Sequence, residues 1–185
     1  MKRSKSIKIA LMGATVFSMT ACDQPSDVAA IFENVDQCVQ ANADDANHCE
    51  SQWQKAEEEH IRSAPKYTRI EDCQADFGDN QCQTAPQQTT SGGSVFMPLM
   101  AGYMMGSLLS GGTYSNVATQ PLYKSRDDGA TFRTADNKGV TSKTGIQTVS
   151  RTVVQSPSTK TTTIQRGGFG GTAFKKTSGF NSFGG

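Results

Sequence analysis

Four cysteines constrain this chain more than any other feature, because they fall in two units that align residue for residue. FENVDQC (32–38) lies over YTRIEDC (67–73), matching Phe32 with Tyr67, Val35 with Ile70, Asp36 with Glu71 and Cys38 with Cys73. A polar loop then leads to a second cysteine, Cys49 in one unit and Cys82 in the other. Each unit reads as an extended aromatic, a short acidic helix start and a loop that returns to a cysteine. Of the three pairings that four cysteines allow, the repeat selects Cys38 with Cys49 and Cys73 with Cys82. Zinc is set aside on spacing: metal knuckles place cysteines roughly two to four residues apart, whereas ten and eight residues intervene here. No metal and no other cofactor is expected.

The N-terminus gives a compartment in which such disulfides persist. Lys2, Arg3, Lys5 and Lys8 precede a short apolar run, IALMGATVFSM (9–19), and small residues Thr20 and Ala21 precede Cys22. This is the layout of a bacterial export signal, and the apolar run is shorter than the roughly 20 residues a spanning helix needs. MTAC (19–22) resembles the lipoprotein motif, in which the cysteine receives lipid. Cleavage before Cys22 is therefore expected, with Cys22 tethering the mature chain to the membrane on the periplasmic side. Asp23 inclines the reading towards the inner membrane.

Between the cysteine units, Cys49, Trp53, Ala56, His60 and Ala64 recur at helical spacing, with Asp45 or Asn47 as cap and Pro65 as stop. IEDCQADFG (70–78) reads as a short helix burying Ile70, Cys73 and Phe77 and ending at Gly78. DVAAIFENV (27–35) fits a helix, or a short strand before a cap at Asn34.

Charge divides the mature chain. Residues 22–86 hold fourteen acidic against four basic residues, and residues 87–185 three against ten. Such asymmetry points to a partner, inside the molecule or outside it, unless the tail is merely solvated. PLYKSRDDGATFRTADNKGV (121–140) offers a hairpin turning at DDG, and TVSRTVVQ and TKTTTIQ favour β structure. An isolated hairpin is marginal in water, so disorder or strand formation on docking is expected. The closing QRGGFGGTAFKKTSGFNSFGG sets Phe169, Phe174, Phe180 and Phe183 among glycines and bases. Such a segment can bind nucleic acid, but an exported tail seldom meets any, and none is expected.

VFMPLMAGYMMGSLLSGG (95–112) is apolar but interrupted. Val95 to Leu109 is about 22 Å long as a helix, short of a hydrocarbon core near 30 Å. With Pro98 in its first turn, Gly102, Gly106 and Ser110 recur every four residues and form a small-residue face, surrounded by Met97, Met100, Met104, Met105, Leu108 and Leu109. The segment reads as an association or membrane-surface helix at 95–110, capable of self-association, or as a lid over the disulfide module.

Catalysis finds little support. His48 and His60 stand in no triad or metal pattern, Glu57, Glu58 and Glu59 point to different sides of a helix, and no phosphate cradle or nucleophile elbow occurs. An enzyme is not expected.

APKY (64–67), TRIEDC (68–73), MPLMAGYMMG (97–106), QPL (120–122) and RGGFG (166–170) together resemble the YgiB family of uncharacterised proteobacterial proteins. The resemblance runs the length of the mature chain. It implies a lipoprotein-like N-terminus. It also implies a pathway shared with an ATP-grasp protein similar to glutathionylspermidine synthase, encoded beside many family genes.

The expected organisation is a signal peptide (1–21), an acidic disulfide-stapled module (22–86), a Gly/Met-rich apolar segment (87–112) and a basic low-complexity tail (113–185). The expected fold is a small, mainly α module with room for one short strand pair, then an apolar helix and a long, largely disordered Gly/Ser/Thr-rich tail. The expected role is a membrane-tethered envelope adaptor whose basic tail meets an envelope protein or anionic surface. The alternative is a small-ligand or cation module in which Glu57, Glu58, Asp72 and Asp76 gather ligands such as polyamines.

Overall fold

The computed structural model describes residues 25–42, 45–109, 112–160, 162–164 and 168–170. The signal segment, Cys22, Ser110 and the phenylalanines Phe174, Phe180 and Phe183 lie outside the described residues. In chain order the elements are β1 (Ser26–Phe32), α1 (Val35–Ala41), α2 (Ala46–Ser63), α3 (Ile70–Phe77), β2 (Cys82–Gln88) and β3 (Ser94–Pro98). There follow β4 (Gly102–Gly106), β5 (Gln120–Ser125), β6 (Asp128–Arg133), β7 (Gly139–Thr141) and β8 (Gly145–Ser150).

The fold is mainly β, which overturns the mainly α module and the largely disordered tail. Six strands form one antiparallel sheet in the order β7-β6-β5-β4-β1-β8, nearly closed because its end strands β7 and β8 adjoin in the chain and in space. The cause is long-range pairing. β1, from the acidic half, is held on one side by β4, from Ala29↔Gly106 to Phe32↔Tyr103, and on the other by β8, from Ser26↔Ser150 to Ile31↔Gly145. Strands too poor in apolar residues to stand alone pool them inside the sheet, where Ala29, Ile31, Met104, Leu122, Phe132 and Val149 form a common core. The β5–β6 hairpin turns at Arg126 and Asp127, just before the DG pair.

Alternation along each strand builds the second layer. Ala30, Phe32, Tyr103 and Met105 point the other way and pack against Cys38, Cys49 and Ala56 of α1 and α2. A third cluster joins α3, the separate β2–β3 hairpin and β5 through Tyr67, Phe77, Met97 and Tyr123, and Phe169 closes it. Its rings meet closely, with Phe77 and Phe169 centroids 4.6 Å apart.

The apolar helix expected over 95–110 does not form. Pro98 ends β3, and β4 is buried on both faces, which is why its sequence shows an unbroken apolar run instead of alternation. Gly102 and Gly106 are small for a different reason from helix association. A Cβ on Gly102 would lie 2.6 Å from the Phe32 carbonyl oxygen, and one on Gly106 would collide with the carbonyl oxygen of Ser115. The close approach they permit is between backbones of the same chain.

Local signals hold where the helices are. Asn34 caps α1 by accepting from the Gln37 amide, and Gly78, at a φ of 106°, ends α3. Disulfides join Cys38 to Cys49, tying α1 to α2, and Cys73 to Cys82, tying α3 to β2. Together they fix α2 over the sheet and the β2–β3 hairpin beside α3, leaving a groove between α2 and the hairpin.

Candidate functional site

α2 supplies one wall of that groove. Cys49, Ala56 and His60 face inward at helical spacing. Trp53, half-buried, sets its indole edge on Tyr103 at a centroid distance of 5.4 Å. Beyond Ser63 the helix cannot continue, because Pro65 has no N–H to donate. The other wall comes from Gln83, Thr84 and Pro86 of β2 and Met97 of β3, and Leu99 and Met100 close one end. The groove encloses about 640 Å³, and Ile61 and Leu99 on its rim are exposed.

His60 forms the polar floor. Its Nδ1 lies 2.8 Å from the Tyr123 hydroxyl, and the Gln83 side-chain nitrogen lies 3.4 Å from Nε2, so both ring nitrogens have a polar neighbour. Burial, reinforced by the Lys66 charge, brings the imidazole down to about 4, so it is neutral at physiological pH. Burial also raises the Tyr123 phenol well above its ordinary value, with the Glu59 carboxylate acting in the same direction. A neutral histidine among Trp, Met, Leu, Ile and Pro, with Glu57 and Gln83 at the margin, has the make-up of a binding cleft: apolar walls and a few placed polar groups. The outer edge of β2 is a poor template for strand addition, because Pro86 sits at an irregularity in its ladder.

A second cavity, of about 670 Å³, lies at the far end of α2 and is lined by Arg62, Lys66, Lys160 and several threonines. Its cations are already engaged. Arg62 pairs with Glu59, Lys160 with Asp136, and the Lys66 ammonium donates to the carbonyls of Ile61 and Arg62 at 3.1 and 3.2 Å.

The acids considered as a cation site are dispersed. Glu57 borders the groove over His60, and Glu58 faces a different cavity beside Lys55 and Arg62. Asp76 is buried, accepting from the Tyr67 hydroxyl at 2.9 Å and the Gly168 amide at 3.1 Å, while Asp72 sits in the first turn of α3. Among the described residues no group of three or more His, Cys, Asp or Glu is arranged to hold a metal ion. Gly102 and Gly106 lie inside the sheet, and Cys22 and Ser110 lie outside the described residues. Among those residues no helix is long and apolar enough to cross a membrane.

The opposed charges of the two halves meet within the molecule. Lys124 pairs with Glu33 at 3.0 Å, Arg126 with Asp79 at 3.4 Å and Arg151 with Asp27 at 3.0 Å. Sequence reasoning missed Tyr123, Gln83, Met97, Leu99 and Met100 as neighbours of His60. The methionines were visible as pliable apolar surface, but nothing local brings β2, β3 and β5 to α2. A family model described as a protein of unknown function, DUF1190, matches residues 26–179. No solved structure matches the chain.

Proposed function

The chain belongs to the DUF1190 family, whose description assigns no activity, and from that premise we propose a membrane-tethered interaction protein of the bacterial cell envelope. A lipid on Cys22 holds it to the membrane, and the groove over His60 receives apolar side chains of an envelope protein. The groove carries the reading. Trp53, Met97, Met100 and Leu99 offer adaptable apolar contact, and His60, Gln83 and Glu57 supply the few polar groups that orient a bound segment. The two disulfides support an oxidising, exported location. The basic N-terminal run, the MTAC motif and the YgiB-like segments point the same way.

Two measurements test it. Intact mass of the native protein is expected to show a chain beginning at an acylated Cys22, and Cys22→Ser is expected to release it from membranes. A photo-crosslinking residue at Leu99 is expected to join a discrete envelope protein in cells, with the adduct weakened severalfold by Trp53→Ala and absent from the same probe at Ile146. Equal adducts at Leu99 and Ile146, or none at either, would falsify the groove as the contact.

A further inference from the structure

The exposed apolar residues Val28, Leu108, Leu109 and Tyr114 gather at one end of the molecule, where the chain enters the fold. The register Ala29↔Gly106 sets the start of β1 beside the end of β4, so the connection that leaves Gly106 begins next to Val28. Ser107 Oγ and Ser115 Oγ both donate to the Val28 carbonyl, at 3.2 and 2.6 Å. The described residues of the connection are braced. Ser115 N–H donates to Ser107 O at 2.8 Å, Leu109 N–H to Thr113 O at 2.7 Å, and Leu108 bridges Tyr114. The Tyr114 ring stacks on His48 at 3.9 Å, and its hydroxyl donates to the Asp45 carboxylate. Leu108, 51 % exposed, and Leu109, 40 % exposed, are thus held out on a supported platform.

The exposed apolar face and the proposed anchor share an end. Arg151 N–H donates to the Pro25 carbonyl at 2.9 Å, pinning the chain as it enters β1. Cys22 lies three residues earlier, a span of at most about 10 Å of extended chain. A lipid there brings Val28 and the platform to the headgroups. Asp27 at this end is paired with Arg151, which offsets its charge against an anionic surface.

We infer that Leu108 and Leu109 are a bilayer-contact site, entering the headgroup–acyl boundary beside the lipid on Cys22 and fixing the orientation of the tethered molecule. The inference rests on the tether proposed above. One lipid-based attachment is commonly supplemented by a second contact with the membrane. α2 then starts near the surface at His48, and the groove at His60 lies about 18 Å further along the helix.

The test uses the full chain purified from membranes, with its N-terminal mass determined, in vesicles of phosphatidylethanolamine and phosphatidylglycerol with brominated acyl chains. Trp53 is replaced by Phe, and a reporter is introduced as Leu108→Trp or, for comparison, Ile146→Trp on β8. With Cys22 acylated, severalfold quenching of the Leu108→Trp emission beside an unquenched Ile146→Trp sustains the contact. Equal emission from both in acylated protein overturns it and leaves the tether intact. An unmodified Cys22 removes the tether, and vesicle flotation then decides: loss of flotation in Leu108→Ser/Leu109→Ser with an unchanged melting temperature sustains the contact. Failure of the unsubstituted chain to float overturns it.

Discussion

His60 makes stability depend on pH in a defined window. Its folded value, about 4, lies below the ordinary 6.5, so an unfolding chain takes up a proton between those limits that the folded chain refuses. The contribution is full above pH 6.5 and is lost as pH falls towards 4. At roughly 1.4 kcal/mol per unit, the loss is about 3 kcal/mol. Urea denaturation of wild type and His60→Gln from pH 7 to pH 4 is expected to show a steeper decline for wild type, the difference isolating the imidazole from the carboxylates. Parallel declines would mean that His60 is solvated in the folded protein. Gly102 makes a second local demand. Ala there pushes a Cβ against the Phe32 backbone, which cannot swing aside as a side chain could. Gly102→Ala is expected to cost about 1–3 kcal/mol in chemical denaturation.

Helices and strands differ in how far the chain announces them. The inward stripe Cys49, Ala56 and His60 of α2, and the stop of α3 at Gly78, are set by residues within one or two turns, and both can be read from spacing. β4 cannot be read that way. Its glycines four apart imitate a helix-packing face, and their purpose appears only when Phe32 and Ser115 are placed beside them. The groove was illegible for the same reason: His60 could be seen on its stripe, but Tyr123 and Gln83 reach it from strands far away in sequence. The disulfides, closing loops with sequence separations of 11 and 9, fix short connections. Replacing either pair by Ala is expected to lower stability by roughly 2–3 kcal/mol, measured by thermal or urea unfolding. Phe169, packed on Phe77 and Tyr123, brings a late segment into the third cluster. Phe169→Ala is expected to cost about 3–5 kcal/mol.

The halves of the chain are complementary in shape and in charge. A fragment covering 25–86 retains both disulfides and α1, α2 and α3, yet it leaves β1 without β4 and β8. It is expected to lack a cooperative melt, while a chain covering 25–170 unfolds in one transition; independent folding of the shorter piece would refute this account of the sheet. The ion pairs joining the halves are largely exposed, and such pairs are each worth about 0–1 kcal/mol. Burial in the shared sheet, more than those charges, holds the halves together, so raising the salt concentration is expected to lower the melting temperature only slightly.

The position of β1 also orders events in time. Synthesised before every other described element, it remains an unsatisfied central strand until Met104 and then Val149 exist to flank it. The disulfide loops need no such wait and can close early. Until that last strand has been made the chain stays extended enough to be threaded through a pore, and its staples close where thiols oxidise, ahead of the completed sheet.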